Sequence, residues 1–187
     1  MKRDIAIDYL RSSVTVLVVA HHAALAYTSF SHYDPEHYMQ STAPVVDSVR
    51  WMPLDLIISW NDMFFMALMF LISGLFVAPS IVRKGAGLFL SDRVKRLGIP
   101  YVIAVTLLAP LAYHPSWLSS NAVGQGGFLR GFFAPYVWTG GPAWYLWLLL
   151  AFCLLVAFTY QMIPNLMKKL SWTASSARNL VVVFLAI

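Results

Sequence analysis

Three ionisable side chains lie at the start of the first long apolar segment of the chain, or deep inside it. Asp8 and Arg11 precede the apolar run, and His22 follows Arg11 by eleven residues. On a helix, eleven residues return to within about 20° of the same face and rise roughly 16 Å. Arg11 would then lie near one membrane surface and His22 near the middle of the bilayer. Asp8, one turn earlier, can pair with Arg11.

Histidine suits a reaction in which a hydroxyl loses its proton, because its ordinary pKa lies near 6.5. A general base is therefore one candidate role for His22, and a polar contact to a neighbouring helix is the other. His21 points about 100° away from His22, which favours a helix-contact or accessory role. Arg11 would stabilise negative charge or orient the site; the alternative is an anchor that reaches the membrane interface.

Composition places these residues in an integral membrane protein. The chain has 187 residues, of which 59% are hydrophobic and 11% are charged, with a mean hydropathy of +0.68. A soluble domain is usually about 25% charged. The net charge of +5 does not indicate nucleic acid, because the basic residues form short clusters between apolar runs.

The apolar runs predict an all-α, polytopic helix bundle within a single domain over residues 1–187. Four complete spanning helices and the start of a fifth are expected, at 12–30, 57–79, 97–113, 143–163 and from 181 onward. Prolines in the third span should bend it, and the aromatic-rich stretch 114–142 should lie along the interface. The fifth run stops after a few residues, so the domain is interpreted as C-terminally incomplete.

The distribution of basic residues predicts which side of the membrane each connection occupies. Residues 1–11, 80–96 and 164–178 hold 11 of the 13 Lys and Arg residues, and the other connections hold Arg50 and Arg130. Positive residues are enriched in cytoplasmic segments. The pattern therefore predicts a multi-pass protein with a cytoplasmic N-terminus.

Several motifs, taken in order, resemble the membrane-bound acyltransferase 3 family. The spacing of Arg11 and His22 is similar to the Arg-x10-His signature of that family, and Asp8-Tyr-Leu-Arg11 to its Asp-x-x-Arg opening. Three later stretches also resemble family motifs: Phe64-Phe-Met-Ala-Leu-Met-Phe-Leu-Ile-Ser73-Gly74, Arg93-Val-Lys-Arg96-Leu-Gly-Ile-Pro100 and Trp144-Tyr145-Leu146.

The resemblance implies an O-acyltransferase of the bacterial inner membrane. Such proteins move acyl groups, often from acyl-CoA, to hydroxyls of extracytoplasmic glycans. The run from His22 to Tyr27 is most similar to the glucan biosynthesis branch, which succinylates periplasmic glucans. The expected partners are therefore acetyl-CoA or succinyl-CoA, a glycan or glucan acceptor and the lipid bilayer. Members typically have ten spanning helices, so the resemblance covers about the N-terminal half.

Donor binding is expected at Arg93 and Arg96, whose planar guanidinium groups could hold the phosphates of coenzyme A. Membrane topology alone is the alternative explanation for both. Asn61 and Asp62 could bind acceptor hydroxyls, or they could cap a helix. No metal is expected, since the acidic and histidine residues at 32–37 lack a ligand spacing.

A second hypothesis from another class is a transporter or flippase subunit whose substrate path uses the same buried charges. Transporters often contain inverted repeats and interrupted helices. The sequence has prolines but no internal repeat, and the Arg-x10-His spacing has no special purpose in a transporter. The acyltransferase hypothesis is therefore favoured, with the acyl group and acceptor left open.

Overall fold

The computed structural model describes residues 5–124, 126–134 and 141–185, which form helices and loops without a strand. The α-helices of these residues are α1 (Ile5–Ala24), α2 (Met52–Arg93), α3 (Ile99–Ile103), α4 (Ala109–Leu118), α5 (Phe128–Phe132), α6 (Trp144–Met162) and α7 (Pro164–Leu185). Two π-helical turns lie between them, the first at Val94–Gly98 and the second at Ala104–Leu108. Short 3-10 turns occupy Leu25–Tyr27, Tyr38–Gln40 and Gly141–Ala143. The all-helical prediction is confirmed for the described residues.

Two helical stretches of the described chain are long and apolar enough to cross a membrane. The first runs from α2 through α4, over Met52–Leu118, and the second is α6. α6 begins and ends within one residue of the predicted span 143–163. The prediction of four complete spans is not confirmed by these two candidates.

Gly85 interrupts the first of these stretches. Its φ of 75° and ψ of 165° are not helical, so separate helices meet there. A positive φ of this size is strained for a residue with a Cβ, which explains a glycine at this position. Lys84 forms an ion pair with Asp92 that links the two sides of the break. Each side exceeds the roughly 20 residues that cross a bilayer.

Several boundaries differ from those that the sequence predicts. α1 ends at Ala24 rather than at residue 30. The basic segment 80–96 is helical except at Gly85, and 164–178 lies within α7. Lys, Arg and Leu are good helix formers, and proline at the first position of a helix costs little. Clusters of basic residues therefore do not end these helices.

Both prolines of the predicted third span follow a π turn. The first π turn ends two residues before Pro100, and the second ends two residues before Pro110. Proline has no N–H, so the carbonyl four residues earlier, that of Arg96 or Thr106, loses its usual partner. In these turns the Ile99 N–H bonds the Val94 carbonyl and the Ala109 N–H bonds the Ala104 carbonyl, so bonding extends to the fifth residue just before each proline. Each proline therefore follows directly on a local change in helical bonding.

The chain divides into two compact units, each made of separated segments. The first unit contains residues 5–17, 64–100 and 145–185. It has two apolar clusters, one made of Ile7, Val14 and Ile72, and one made of Ile81, Phe89, Cys153 and Ala157. Helices distant in sequence therefore pack together within this unit.

The second unit contains residues 18–63 and the described part of 101–144. Its apolar cluster is made of Tyr38, Met39, Tyr113 and Phe132. Hydrogen bonds tie the loop after α1 to the end of α4 and beyond. Tyr33 donates its hydroxyl to the Ser116 carbonyl at 2.7 Å, and the Asn121 N–H bonds the Pro35 carbonyl at 2.8 Å. The predicted interfacial stretch 114–142 is thus partly helical and tied to this loop, with 125 and 135–140 outside the described residues.

Candidate active site

α1 carries the two positions from which the sequence predicts catalysis. The helix runs unbroken over Ile5–Ala24 and includes both Arg11 and His22. The catalytic roles of the two residues stay a prediction.

In the first unit, the Arg11 guanidinium lies over the ring of Phe76, with its carbon 4.6 Å from the ring centre. Such cation–π contacts are worth about 0.5–1 kcal/mol where they are exposed. Asp8 is half-buried, and its backbone carbonyl accepts the Ser12 hydroxyl at 3.0 Å. The aromatic neighbour of Arg11 comes from α2, a contact that the sequence analysis missed.

In the second unit, His21 rather than His22 is the buried histidine. His21 is 7% exposed, and its Nε2 lies 3.6 Å from a carboxylate oxygen of Asp62. The ring of His22 is half-buried and meets that of His21 edge to face, with centroids 5.3 Å apart. Two imidazoles and a carboxylate are therefore adjacent, whereas helical spacing predicts only a contact or accessory role for His21.

Asp62 and its neighbour Asn61 lie inside α2, which begins at Met52. The suggestion that they cap a helix is therefore wrong. Asn61 is buried, whereas the Asp62 side chain is 58% exposed. A carboxylate beside an imidazole can fix the orientation of the ring and stabilise its protonated form. This arrangement suits transfer of a proton from a hydroxyl.

The two arginines predicted to bind the donor have different surroundings. Arg93 is half-buried at the end of α2, with its guanidinium carbon 5.2 Å from the ring centre of the buried Phe89. Arg96 is exposed in the first π turn. A π turn has more residues per turn than an α-helix, so a spacing of three no longer fixes a shared face. Whether Arg93 and Arg96 share a face is therefore not set by regular α-helical geometry.

Two of the motifs that carry the family resemblance meet within the first unit. The Ser73 hydroxyl lies 3.0 Å from the Tyr145 hydroxyl, which also donates to the Met69 carbonyl at 3.2 Å. The Tyr145 ring packs on that of Phe70, with centroids 4.9 Å apart. Ser73 thus hydrogen-bonds across helices, while a Cβ at Gly74 would meet no atom within 4 Å. The glycine at position 74 is therefore not required by the close approach of another helix.

The second unit also contains a pocket of about 650 Å³, formed by the loop before α2 and by α4, α5 and their connection. Glu36, His37, Trp117 and Arg130 line it together with glycine backbone. Asp34 accepts bonds from the backbone N–H groups of Glu36 and His37 at 2.8 and 2.9 Å. These bonds, that of His37 foremost, hold the pKa of Asp34 below its usual value.

Within the described residues, no group of three His, Cys, Asp or Glu side chains could hold a metal ion. The loop histidine His37 instead lies 3.5 Å from the carboxylate of Asp34. That carboxylate is already bonded to backbone N–H groups, so its local role is to order the loop.

Comparison with known proteins identifies the family. A family model described as an acyltransferase domain, that of the acyltransferase 3 family, matches residues 4–186. No curated protein and no solved structure matches the chain. The matched region contains α1 with its arginine and histidines, the carboxylate of α2 and the Ser73–Tyr145 contact. The chain therefore belongs to the acyltransferase 3 family and is a membrane acyltransferase.

Proposed function

We propose that the protein transfers an acyl group from acyl-CoA to a hydroxyl of an extracytoplasmic glycan. The observation that carries the proposal is the cluster of His21, His22 and Asp62 on two helices of a family member. Ionisable groups on the helices of a membrane protein are costly and usually functional, and here they are brought together from two helices.

In the proposed reaction, His22 takes the proton of the acceptor hydroxyl as its oxygen attacks the thioester carbonyl carbon. The new ester C–O bond forms, the C–S bond breaks, and coenzyme A leaves as a thiolate that receives the proton. Arg11, whose guanidinium lies over the ring of Phe76, stabilises the negative charge that develops during transfer. His21, beside Asp62, positions the His22 ring.

The donor proposed is acetyl-CoA or succinyl-CoA, with Arg93 and Arg96 binding its phosphates. Arginine presents planar donors that match phosphate oxygens, and both residues lie in the predicted cytoplasmic basic segment. The acceptor proposed is a periplasmic glucan, on the strength of the resemblance in the run from His22 to Tyr27.

Membranes from cells that express the protein test this proposal directly. They are incubated with succinyl-CoA or acetyl-CoA labelled in the acyl group, and with periplasmic glucan. We expect labelled glucan and free coenzyme A in equal amounts. Uptake or passage of glucan without any labelled ester would contradict the proposal and favour the transporter alternative.

The proposed location is the bacterial inner membrane, with several crossings and a cytoplasmic N-terminus. A reporter inserted beside Glu36 should be external, while reporters beside Lys84 and Lys169 should be cytoplasmic. The reason is that basic residues are concentrated in the segments that contain Lys84 and Lys169. Alkaline phosphatase and green fluorescent protein fusions at each position measure the side. A cytoplasmic signal beside Glu36 would contradict the predicted topology. It would also separate the proposed extracytoplasmic acceptor from the cytoplasmic donor.

A further inference from the structure

The pocket of the second unit combines aromatic side chains, Trp117 among them, with the opposite charges of Glu36 and Arg130, and His37 also lines it. Trp117 is half-buried and held by the rings of His114 and Phe128, with centroids 5.8 and 5.5 Å away. Glu36 and Arg130 are exposed at the same pocket. The volume of about 650 Å³ falls within the range of small-molecule sites.

Glycine backbone forms much of the remaining wall. Gly127 and Gly131 both line the pocket, and a Cβ at either position would meet no atom within 4 Å. The neighbouring Phe132 is fully buried in the apolar cluster of this unit, which anchors α5. The wall at Gly127 and Gly131 is therefore open, and the helix that carries Gly131 is held in place by this cluster.

This combination has the chemistry of a sugar site. An indole ring offers a large apolar face with a partial negative charge, which suits the C–H face of a pyranose. A carboxylate accepts hydrogen bonds from hydroxyl groups, and a guanidinium donates them. Because Glu36 and Arg130 carry opposite charges, neither an anion nor a cation is favoured, and a neutral ligand fits best.

We propose that this pocket binds a segment of a neutral saccharide, with one sugar ring against Trp117 and hydroxyls bonded to Glu36 and Arg130. The inference rests on the proposed function in that it gives the glycan acceptor a binding site. It does not depend on the catalytic residues.

Calorimetric titration of the purified protein in nanodiscs tests the proposal, with cellotetraose as the neutral probe and tetragalacturonic acid as its anionic counterpart. We expect saturable binding of cellotetraose and much weaker binding of the acid. Trp117→Ala should weaken cellotetraose binding about tenfold through loss of the aromatic face. Trp51→Ala, which removes a tryptophan that is 57% exposed and does not line the pocket, should leave binding unchanged.

A second variant distinguishes a loss of saccharide binding from a loss of folding. Gly131→Leu adds bulk at a helical position where leucine is preferred to glycine, so it should fold and block the pocket. Wild-type affinity in Trp117→Ala and Gly131→Leu, absence of cellotetraose binding, or equal affinity for the acid would each overturn the proposal. Saccharide binding without acyl transfer would support this binding site and reject the proposed function. Acyl transfer whose dependence on acceptor concentration is unchanged in Gly131→Leu would support the proposed function and reject this binding site.

Discussion

Replacing His22 with alanine is expected to lower the rate of acyl transfer by about 10²–10⁴-fold, the usual contribution of a positioned general base. Insertion and protein level should stay nearly normal, because alanine is easier to place in a bilayer than histidine. Labelled acyl transfer to periplasmic glucan, divided by the amount of protein on an immunoblot, measures the effect.

The matched control is His21→Ala, which removes the neighbouring imidazole. His21 is buried against Asp62, so its loss should reduce stability and lower the rate per molecule much less than the loss of His22. If His22→Ala transfers acyl groups like wild type while His21→Ala does not, the base is His21. If both retain full activity, the proposed chemistry of this cluster is wrong.

Replacing Arg93 and Arg96 together with alanine is expected to weaken acyl-CoA binding by about two orders of magnitude. The reason is the loss of charge-assisted hydrogen bonds to phosphate, each worth about 1.5–3 kcal/mol. Lysine at both positions should restore only part of the affinity, because it lacks the planar fork. Titration of the purified protein with a non-hydrolysable acyl-CoA analogue measures the change.

The charge-matched control removes two other basic residues from a segment on the same predicted side. Lys168→Ala with Lys169→Ala lowers the net charge equally and should leave donor affinity nearly unchanged. Because Arg93 also contacts Phe89, the single change Arg96→Ala at the exposed position separates donor binding from folding. Wild-type affinity in the double arginine variant would leave both residues a purely topological role.

The sequence predicts the helical class and α6 well, since 21 uncharged residues at 143–163 leave few other structures. It predicts helix ends less well. Charges at 80–96 and 164–178 resemble loops by composition, yet their residue types favour helix. The break at Gly85 depends on a single backbone conformation, which hydropathy does not reveal.

At the site, the sequence supplies the residues of α1 and the structure supplies their partners. Contacts of His21 with Asp62 and of Arg11 with Phe76 join helices that are far apart in the chain. Periodicity describes one helix at a time and cannot assign such pairs. One feature of the sequence does predict such a contact. A carboxylate within an apolar segment, such as Asp62, requires a partner, and a histidine on another helix can be that partner.

The two π turns are positions where the chain could lose one residue without a change in the register of the helices on either side. Deleting one residue from a regular α-helix rotates every later side chain by about 100° and disrupts the packing that follows. A π turn already contains one residue more than a regular turn, so a deletion within it restores an α-helix and keeps both flanks in register. Val94–Gly98 and Ala104–Leu108 are therefore the positions where a homologue one residue shorter could keep Arg93 and the later helices on their present faces.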